Sequence, residues 1–315
     1  MSDPSGGPVL YTEHTDMAAG TPFASLWSYR SSRRGCGVPP VHVTSKGTRA
    51  YWLRRADPLL TMVLPGTHVS IVANLADPWE ISAFDGRAHR LQPVSVFGPV
   101  TRPRRLQLGH TVRVVGAVVS PTLTAALLGV PAAGLRDHVV ELAHIWPRTR
   151  VERLRDALGA APTHAAVGLL RDHLLPRSPR QPRGIEAAAV QYLMSTGGRV
   201  SIEATCERFG ISRQYLARRF GETVGLSPKL FARISRFQAL VPALLTTPAE
   251  DWAVLANGAG FYDQAHMTNE FRAFAGSAPT TFFQPVGATR ATQLKGTPSE
   301  WAAAHARGDV RPGQA

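Results

Sequence analysis

Cysteine is scarce in this sequence, which has Cys36 and Cys206 as its two cysteines in 315 residues. They lie far apart and form no Cys-x-x-Cys pair, which excludes a thiolate zinc site and gives no sign of a disulfide framework. The first twenty residues also lack the apolar stretch of a secretory signal peptide. We therefore expect a cytoplasmic protein in a reducing compartment.

The sequence also lacks the common signatures of catalysis. It has no Gly-x-Ser-x-Gly nucleophile motif, no phosphate-binding glycine-rich loop and no His-x-His pair followed closely by a glutamate. Its eleven histidines are scattered. A lone histidine in a strand-like region, such as His68, His89 or His110, is more often structural or exposed than a metal ligand. We expect no enzyme activity, no metal and no organic cofactor.

Positive charge is in excess, at a formal net +13, which favours a polyanionic partner such as nucleic acid or an acidic membrane surface. Residues 199–272, however, carry nine Lys/Arg against seven Asp/Glu. Net charge therefore permits DNA binding without establishing it. One uncharged stretch, 114–135, is long enough to span a bilayer. Because Pro121 and Pro131 interrupt it, we interpret it as a strand, a turn and a short helix, and expect no membrane segment.

Short apolar runs with period-two character occupy residues 50–120. Turn residues separate them, for example Pro65-Gly66 and Asp85-Gly86. Several short strands at this spacing predict a small antiparallel sandwich or barrel. The clearest runs are 60–64, 69–73, 94–97 and 112–116.

The apolar pattern becomes helical after Pro121, which can open a helix to Leu128, and it repeats at helical spacing in 151–158 and 165–175. Three prolines and three arginines then fall within 175–184. This composition predicts a linker and marks the clearest domain boundary. The sequence pattern indicates helices from there to residue 283, and a low-complexity tail follows.

A helix-turn-helix pattern begins at Val200. Ser201 is a good N-cap, Gly210 stands where a helix end needs the left-handed conformation, and Ser212 can cap a second helix two residues later. We expect these side chains to face inward: Ala204, Thr205 and Phe209 on the first helix, and Leu216 and Phe220 on the second.

The second helix of such a motif enters the major groove and presents its exposed N-terminal residues to the bases. Here those residues are Arg213, Gln214, Ala217 and Arg218. Because arginine binds guanine and glutamine binds adenine in a bidentate manner, the chemistry suits base readout. Arg219 is expected to reach a phosphate or solvent instead.

The same arrangement recurs. Residues 247–250 form a capping box with proline at the first helical position, Gly260 makes the turn, and Asp263 can cap the second helix. The inward residues are Trp252, Leu255, Ala256, Met267 and Phe271. The exposed positions of this second reading helix are Gln264, Ala265, His266, Thr268 and Asn269. His266 either reads a base or caps and packs, and the sequence leaves both open.

The two reading helices begin 51 residues apart, at Arg213 and Gln264. Between them, Pro228 opens an apolar-striped segment of about fifteen residues, or roughly 22 Å of helix. That length suits two reading helices about one duplex turn apart, roughly 34 Å, in successive major grooves. Pro242 should end or kink the linking helix near Val241.

In these residues the chain resembles the AraC-type regulators, whose DNA-binding domain is two helix-turn-helices joined by a long helix. The resemblance covers about 185–283 and includes Gly260-Phe-Tyr-Asp-Gln-Ala-His266, Gly276-x-x-Pro279 and Gly225-Leu-Ser-Pro228. Asn269 departs from it, because the family usually has arginine there. That change removes a DNA contact and weakens or redirects readout by the second motif.

The N-terminal half is similar, more weakly, to sensor domains of one AraC-type branch, through 64–75 and 127–137. Regulators of this kind often carry a small cupin-type β-barrel, so the resemblance implies effector sensing, dimerisation or both. The helices within 151–175 are then candidate dimer contacts.

These observations predict an α+β protein of two domains, with an antiparallel cupin-like β-barrel and trailing helices before an all-α double helix-turn-helix. The expected divisions are a disordered 1–20, a β-rich sensor 21–130, a helical segment 131–175, a linker 176–184, the DNA-binding domain 185–283 and a disordered tail 284–315. We expect a sequence-specific, effector-modulated transcription regulator, with promoter DNA as partner, RNA polymerase as a further candidate and a homodimer as its assembly. The alternative is a ligand-binding or protein-interaction protein with degenerate, non-specific DNA binding.

Overall fold

The structure is a computed structural model, and it describes residues 10–14, 23–31, 52–54, 60–82, 87–109, 111–174, 184–246 and 249–283. It confirms the α+β class, with antiparallel sheets in the N-terminal half and helices in the C-terminal half. The strands are β1 (Leu10–His14), β2 (Phe23–Ser31), β3 (Trp52–Arg54), β4 (Leu60–Val63), β5 (Val69–Asn74), β6 (Glu80–Ser82), β7 (Ala88–Arg90), β8 (Val94–Phe97), β9 (Arg104–Gln107), β10 (Val112–Val119) and β11 (Val139–Glu141).

The strands form two antiparallel sheets. The first has the order β1-β2-β10-β5-β8-β11 and the second the order β3-β4-β9-β6-β7. The four strands predicted from apolar runs are confirmed as β4, β5, β8 and β10. Among the described residues, each pair of hydrogen-bonded strands belongs to the same sheet, and no pair joins the two sheets. In place of the predicted closed barrel there are therefore two separate sheets.

The central strands of the first sheet are buried on both faces because each face has its own cover. In β5, Ile71 contributes to a core shared with the helices that follow β10 in the sequence, while Val72 contributes to the core against the second sheet. In β10, Val115 and Val114 divide in the same way. Side chains alternate along a strand, so a run of consecutive apolar residues serves two cores at once.

The helices are α1 (Thr124–Leu128), α2 (Arg148–Ala160), α3 (Thr163–Leu174), α4 (Ile185–Ser195), α5 (Ile202–Phe209), α6 (Arg213–Val224), α7 (Pro228–Thr246), α8 (Trp252–Gly258), α9 (Gln264–Ala275) and α10 (Pro279–Phe282). Within the described ranges, none of them combines the length and apolar character needed to cross a membrane. Short 3-10 turns occur at Pro121–Leu123, Ala132–Leu135, Leu142–His144 and Ala249–Asp251. The uncharged stretch 114–135 thus has the predicted order of strand, turn and short helix.

Two strands of the N-terminal half were not predicted. Residues 1–20 were expected to be disordered, yet β1 pairs with β2 along its whole length. The average composition hid a short run of strand-forming residues that becomes ordered once a partner strand is present. Residues 131–175 were expected to be helical, yet they include β11, which pairs with β8 at the sheet edge.

Two other predicted segments, the linker 176–184 and the tail 284–315, lie almost entirely outside the described residues. The domain boundaries therefore stay predictions.

The helical domain packs around an aromatic core. Phe220 meets Phe231 edge-on with ring centroids 5.5 Å apart, and Phe237 meets Phe271 at 5.4 Å. Each of these four rings is almost completely buried. Large buried rings make a strong apolar contribution, and here they join α6, α7 and α9 into one unit.

The two halves of the chain touch at the end of α6. Gly225 closes α6 in the left-handed conformation, with φ of 78°. A Cβ atom built there would lie 2.7 Å from the backbone of Ala132. Leu64, which follows β4, is buried in the core of the helical domain. The N-terminal domain therefore contacts the first helix-turn-helix directly.

Candidate nucleic-acid interface

The first helix-turn-helix is α5 and α6, and its caps are those predicted. The Ser201 hydroxyl accepts from the Ala204 amide at 3.0 Å, and the Ser212 hydroxyl accepts from the Tyr215 amide at 3.1 Å. Gly210 has φ of 62°, the left-handed conformation that lets α5 end and the chain turn. Helix α6 starts at Arg213, as predicted.

The exposed face of α6 carries all four candidate reading residues of the first motif. Leu216 and Phe220 are fully buried and fix the opposite face. Ala204 was predicted to face inward, but it is exposed because Thr205 and Cys206 occupy the buried side of α5. The exposed residues of α6 are Arg213, Gln214, Ala217 and Arg218.

The arginines of α6 differ in their partners. Arg213 forms an ion pair with Glu203 at 3.1 Å. Arg219 forms 2.7 Å ion pairs with Glu186 and Glu222. Its hydrogen bond to Glu186 lowers the pKa of that carboxyl group and raises the pKa of Arg219 itself. The expectation that Arg219 reaches phosphate or solvent is therefore wrong, since a glutamate of α4 holds it.

Arg218 points differently. In the described chain it forms no ion pair, and its guanidinium carbon lies 5.9 Å from the centre of the Tyr215 ring. It is an exposed cation on the reading face, backed by an aromatic ring.

The second helix-turn-helix is α8 and α9. The Asp263 carboxylate accepts from the His266 amide at 2.7 Å, and α9 starts at Gln264 as predicted. Gly260 has φ of 79° at the turn. Half of the predicted capping box, Thr247 and Pro248, lies outside the described residues. Helix α8 begins only after the turn Ala249–Asp251.

The candidate reading residues of α9 also lie on its outer face. Gln264, Ala265, His266 and Asn269 are exposed, and Thr268 is half-buried.

His266 and Asn269 have partners of their own. The His266 ring packs edge-on against Phe261 at 5.5 Å, and its Nδ1 accepts from the Tyr262 amide at 3.3 Å. Asn269 Oδ1 accepts from Arg272 Nη1 at 3.0 Å.

Each reading helix is tied to the helix before its motif by an Arg–Glu pair. In the first motif Arg219 of α6 contacts Glu186 of α4. In the second motif Glu270 of α9 accepts from Arg233 of α7, with a shortest distance of 2.7 Å. Positions 219 and 270 are 51 residues apart, the spacing of the repeat itself. The two motifs therefore use equivalent ion pairs of opposite polarity.

The linking helix holds the two motifs together through Arg236. Its guanidinium donates to the carbonyl of Gly198, before the first motif, and to the carbonyl of Gly260, in the turn of the second. Burial lowers the pKa of this guanidinium. One side chain of α7 thus joins the segment just before the first motif to the turn of the second.

Pro242 was expected to end or kink the linking helix near Val241, but the helix does not end there. Helix α7 continues from Pro228 to Thr246, four residues beyond Pro242. Val241 and Leu244 are buried in the domain core. Their burial outweighs the one backbone hydrogen bond that proline removes.

The tertiary partners were not found by sequence reasoning. Glu186, Arg233, Arg236 and Glu270 contact residues distant in sequence, and no local pattern in a single sequence signals such pairs. Two capped helix-turn-helices joined by one long helix define the class of the C-terminal half: a double helix-turn-helix, a DNA-binding fold.

The sequence comparisons agree with this class. Residues 205–285 match a family described as a helix-turn-helix domain, and residues 46–141 match a domain of unknown function (DUF6597). The chain is 28% identical over 145 residues to the HTH-type transcriptional regulator RipA of Corynebacterium glutamicum, a match that covers 45% of this chain and 43% of RipA. The matched region thus spans less than half of that relative.

Among solved structures, ToxT from Vibrio cholerae is similar with a TM-score of 0.42 and 10% identity, over 88% of this chain and 99% of ToxT. The AraC-like transcriptional activator CuxR has a TM-score of 0.26 and 16% identity, over 72% and 80% of the two chains. The family match and the RipA match confirm the resemblance of the C-terminal domain to the AraC-type regulators. They support a transcription regulator.

Proposed function

We propose that the protein binds promoter DNA sequence-specifically, with α6 and α9 in successive major grooves. The observation that supports this most directly is the pair of capped helices whose exposed faces carry the candidate reading residues, fixed to one linking helix. The proposed contacts are Arg213, Gln214, Ala217, Arg218, Gln264, Ala265, His266, Thr268 and Asn269.

Arg218 and Gln214 are the strongest base readers in this proposal. Both are exposed on the first two turns of α6, and their donor groups match the major-groove edges of guanine and adenine. In α9, the hydrogen bond from the Tyr262 amide requires Nδ1 of His266 to be an acceptor. The proton of the neutral ring then resides on Nε2, which donates to a guanine or thymine acceptor.

We also propose that the N-terminal domain modulates DNA binding by sensing a small effector. A cavity of about 630 Å³ between the domains offers room for one. Its walls include Thr67 and His68 from the sensor side, and Gln191, Arg199 and Gln238 from the helical domain. A molecule bound there would contact α7, which sets the relative orientation of the two motifs.

A homodimer and contact with RNA polymerase complete the proposal. Helices α2 and α3 direct their apolar residues into the N-terminal core. A dimer formed through them would therefore use their charged outer faces, including the Arg148–Glu152 pair. Measuring the molar mass in solution at low and high salt tests this, because screening weakens contacts between exposed charges.

DNA selection by the full-length protein tests the central proposal. A random-sequence duplex library yields the preferred site, and fluorescence anisotropy then compares that duplex with a scrambled one in excess competitor DNA. Specific binding should survive the competitor. Arg218→Ala should weaken it at least about tenfold and relax preference at one base pair.

Arg90→Ala is the matched control, because it removes an exposed arginine of the N-terminal domain that lies on β7, outside the helices proposed for the dimer contact. It should leave specific binding unchanged. Equal affinity for both duplexes, lost together as salt rises, would support the alternative: a ligand-binding or protein-interaction protein with non-specific DNA binding. Asn269 favours that alternative, since it stands where the family has arginine.

A further inference from the structure

The repeat within the helical domain shows that the two reading helices carry an exposed arginine at different positions. Shifting the first motif by its 51-residue spacing places Arg218 on Asn269 and Gly221 on Arg272. Helix α6 therefore has arginine at the earlier position and no side chain at the later one. Helix α9 has asparagine at the earlier position and arginine at the later one, about one turn further along.

The ion pairs single out the same two arginines. The reading helices α6 and α9 contain four arginines, and two of them, Arg213 and Arg219, pair with glutamates. Neither Arg218 nor Arg272 forms an ion pair with any residue that the structure describes, and both are exposed. Within the part of the chain that the structure describes, each reading helix thus presents one guanidinium that no acidic side chain neutralises.

The hydrogen bond to Asn269 directs Arg272 toward the start of α9. Nη1 of Arg272 donates to Oδ1 of Asn269 at 3.0 Å. Three residues of helix rise about 4.5 Å, and side chains tilt toward the N-terminus. The guanidinium therefore reaches back to the position that Arg218 occupies in α6, and four of its five N–H groups are not used in this bond.

We propose that Arg272 supplies the cationic DNA contact of the second motif, and that Asn269 positions it. The inference rests on the proposed DNA binding by α9. Its target is a phosphate beside the second major groove, because base edges are contacted mainly by the first residues of a reading helix. Asn269 is then a positioning residue, and its presence is compatible with DNA binding by the second motif.

Salt dependence of binding separates this role from a structural one. Full-length wild-type protein and variants are titrated with the duplex that wild type selects from a random library, at several salt concentrations. Arg272→Ala should weaken binding about fivefold and lower the slope of log affinity against log salt by about 0.9, the loss of one phosphate contact. Its base preference should stay that of wild type.

Two further variants sharpen the test. Asn269→Ala should weaken binding about twofold and keep the wild-type slope, since the charge remains but loses its orienting acceptor. Asn269→Arg combined with Arg272→Ala recreates the arrangement of α6 and should restore the slope. Arg90→Ala, which removes an exposed arginine of β7, should change neither quantity.

The other reading of Arg272 is a favourable charge in the last turn of α9, where a cation stabilises the helix dipole. In that case Arg272→Ala would lower the melting temperature and leave the salt slope unchanged, which would overturn the inference. Failure of the proposed function is distinguishable from this, because wild type and Arg218→Ala would then bind selected and scrambled duplexes alike.

Discussion

The ion pair between α7 and α9 should carry a measurable part of the stability of the helical domain. Nε of Arg233 lies 3.1 Å from Oε1 and 3.0 Å from Oε2 of Glu270, and Nη2 lies 2.7 Å from Oε1. The side chain of Glu270 is only 17% exposed and that of Arg233 is 37% exposed. This is a bidentate pair that water screens incompletely.

Glu270→Gln removes the charge and keeps the volume. An exposed pair contributes about 0–1 kcal/mol, whereas hydrogen bonds to charged groups contribute about 1.5–3 kcal/mol. With one partner largely buried, we expect the free energy of unfolding to fall by about 2 kcal/mol. Loss of the tie to α7 should also weaken DNA binding through α9 more than through α6.

A double-mutant cycle of Glu270→Gln and Arg233→Gln in urea unfolding measures the interaction itself. We expect a coupling of about 1–2 kcal/mol. The control is the Arg148–Glu152 pair of α2, which has a similar distance of 3.1 Å but side chains 84% and 44% exposed, and its coupling should be about 0.3–0.5 kcal/mol. Equal couplings for the two pairs would refute the reasoning, because burial would then make no difference and apolar packing alone would hold α9.

Three smaller changes have definite expected results. Gly225→Ala should destabilise the protein by at least about 1–2 kcal/mol in thermal unfolding, because it forces a left-handed alanine against the backbone of Ala132; an unchanged melting temperature would exclude that domain contact. Burial lowers the pKa of His68 to about 3 from its ordinary 6.5, so the unfolded chain takes up the proton first and stability falls as pH drops from 6.5 toward 3. Urea unfolding at pH 7 and at pH 5.5 measures this loss of unfolding free energy, and His68→Gln should make the loss smaller by about 1.4 kcal/mol. If wild type and His68→Gln lose the same free energy over this pH range, His68 is solvated. Ser212→Ala should cost about 1 kcal/mol by uncapping α6, whereas Ser195→Ala, at an exposed helix end, should cost less.

Local signals in the sequence located the elements of the candidate site closely. Ser212 and Asp263 each accept a hydrogen bond from an amide three residues later, so the starts of α6 and α9 followed from cap chemistry alone. The two left-handed turns followed from Gly210 and Gly260 in the same way. Propensity failed where packing decides: Pro242 was expected to end or kink α7, yet the helix continues past it to Thr246, and Val241 is buried.

The N-terminal half shows the other limit of local reasoning. Alternating apolar residues predicted the central strands but not the number of sheets, because 69–73 has the same pattern in a barrel and in a sandwich covered by helices. The edge strands β1 and β11 were missed because they are runs of five and three residues within segments of a different average composition. Such strands form when a neighbouring strand supplies the hydrogen bonds, and that neighbour is distant in sequence.

The reading helices show how a repeat separates conserved geometry from variable chemistry. The starts of the reading helices, the glycines that close them and the buried rings Phe220 and Phe271 coincide after a shift of 51 residues. The charges do not coincide, because Arg219 becomes Glu270 and Arg218 becomes Asn269. The first exchange is matched by an exchange in the neighbouring helix, where Glu186 has Arg233 as its counterpart, so the tie survives. The second exchange leaves the outer face of α9 without its expected arginine unless Arg272 replaces it. Because the ion pair to the neighbouring helix is kept when Arg219 becomes Glu270, we interpret the change of Arg218 to Asn269 as compensated in the same way, by Arg272. The salt slope of Arg272→Ala tests this interpretation.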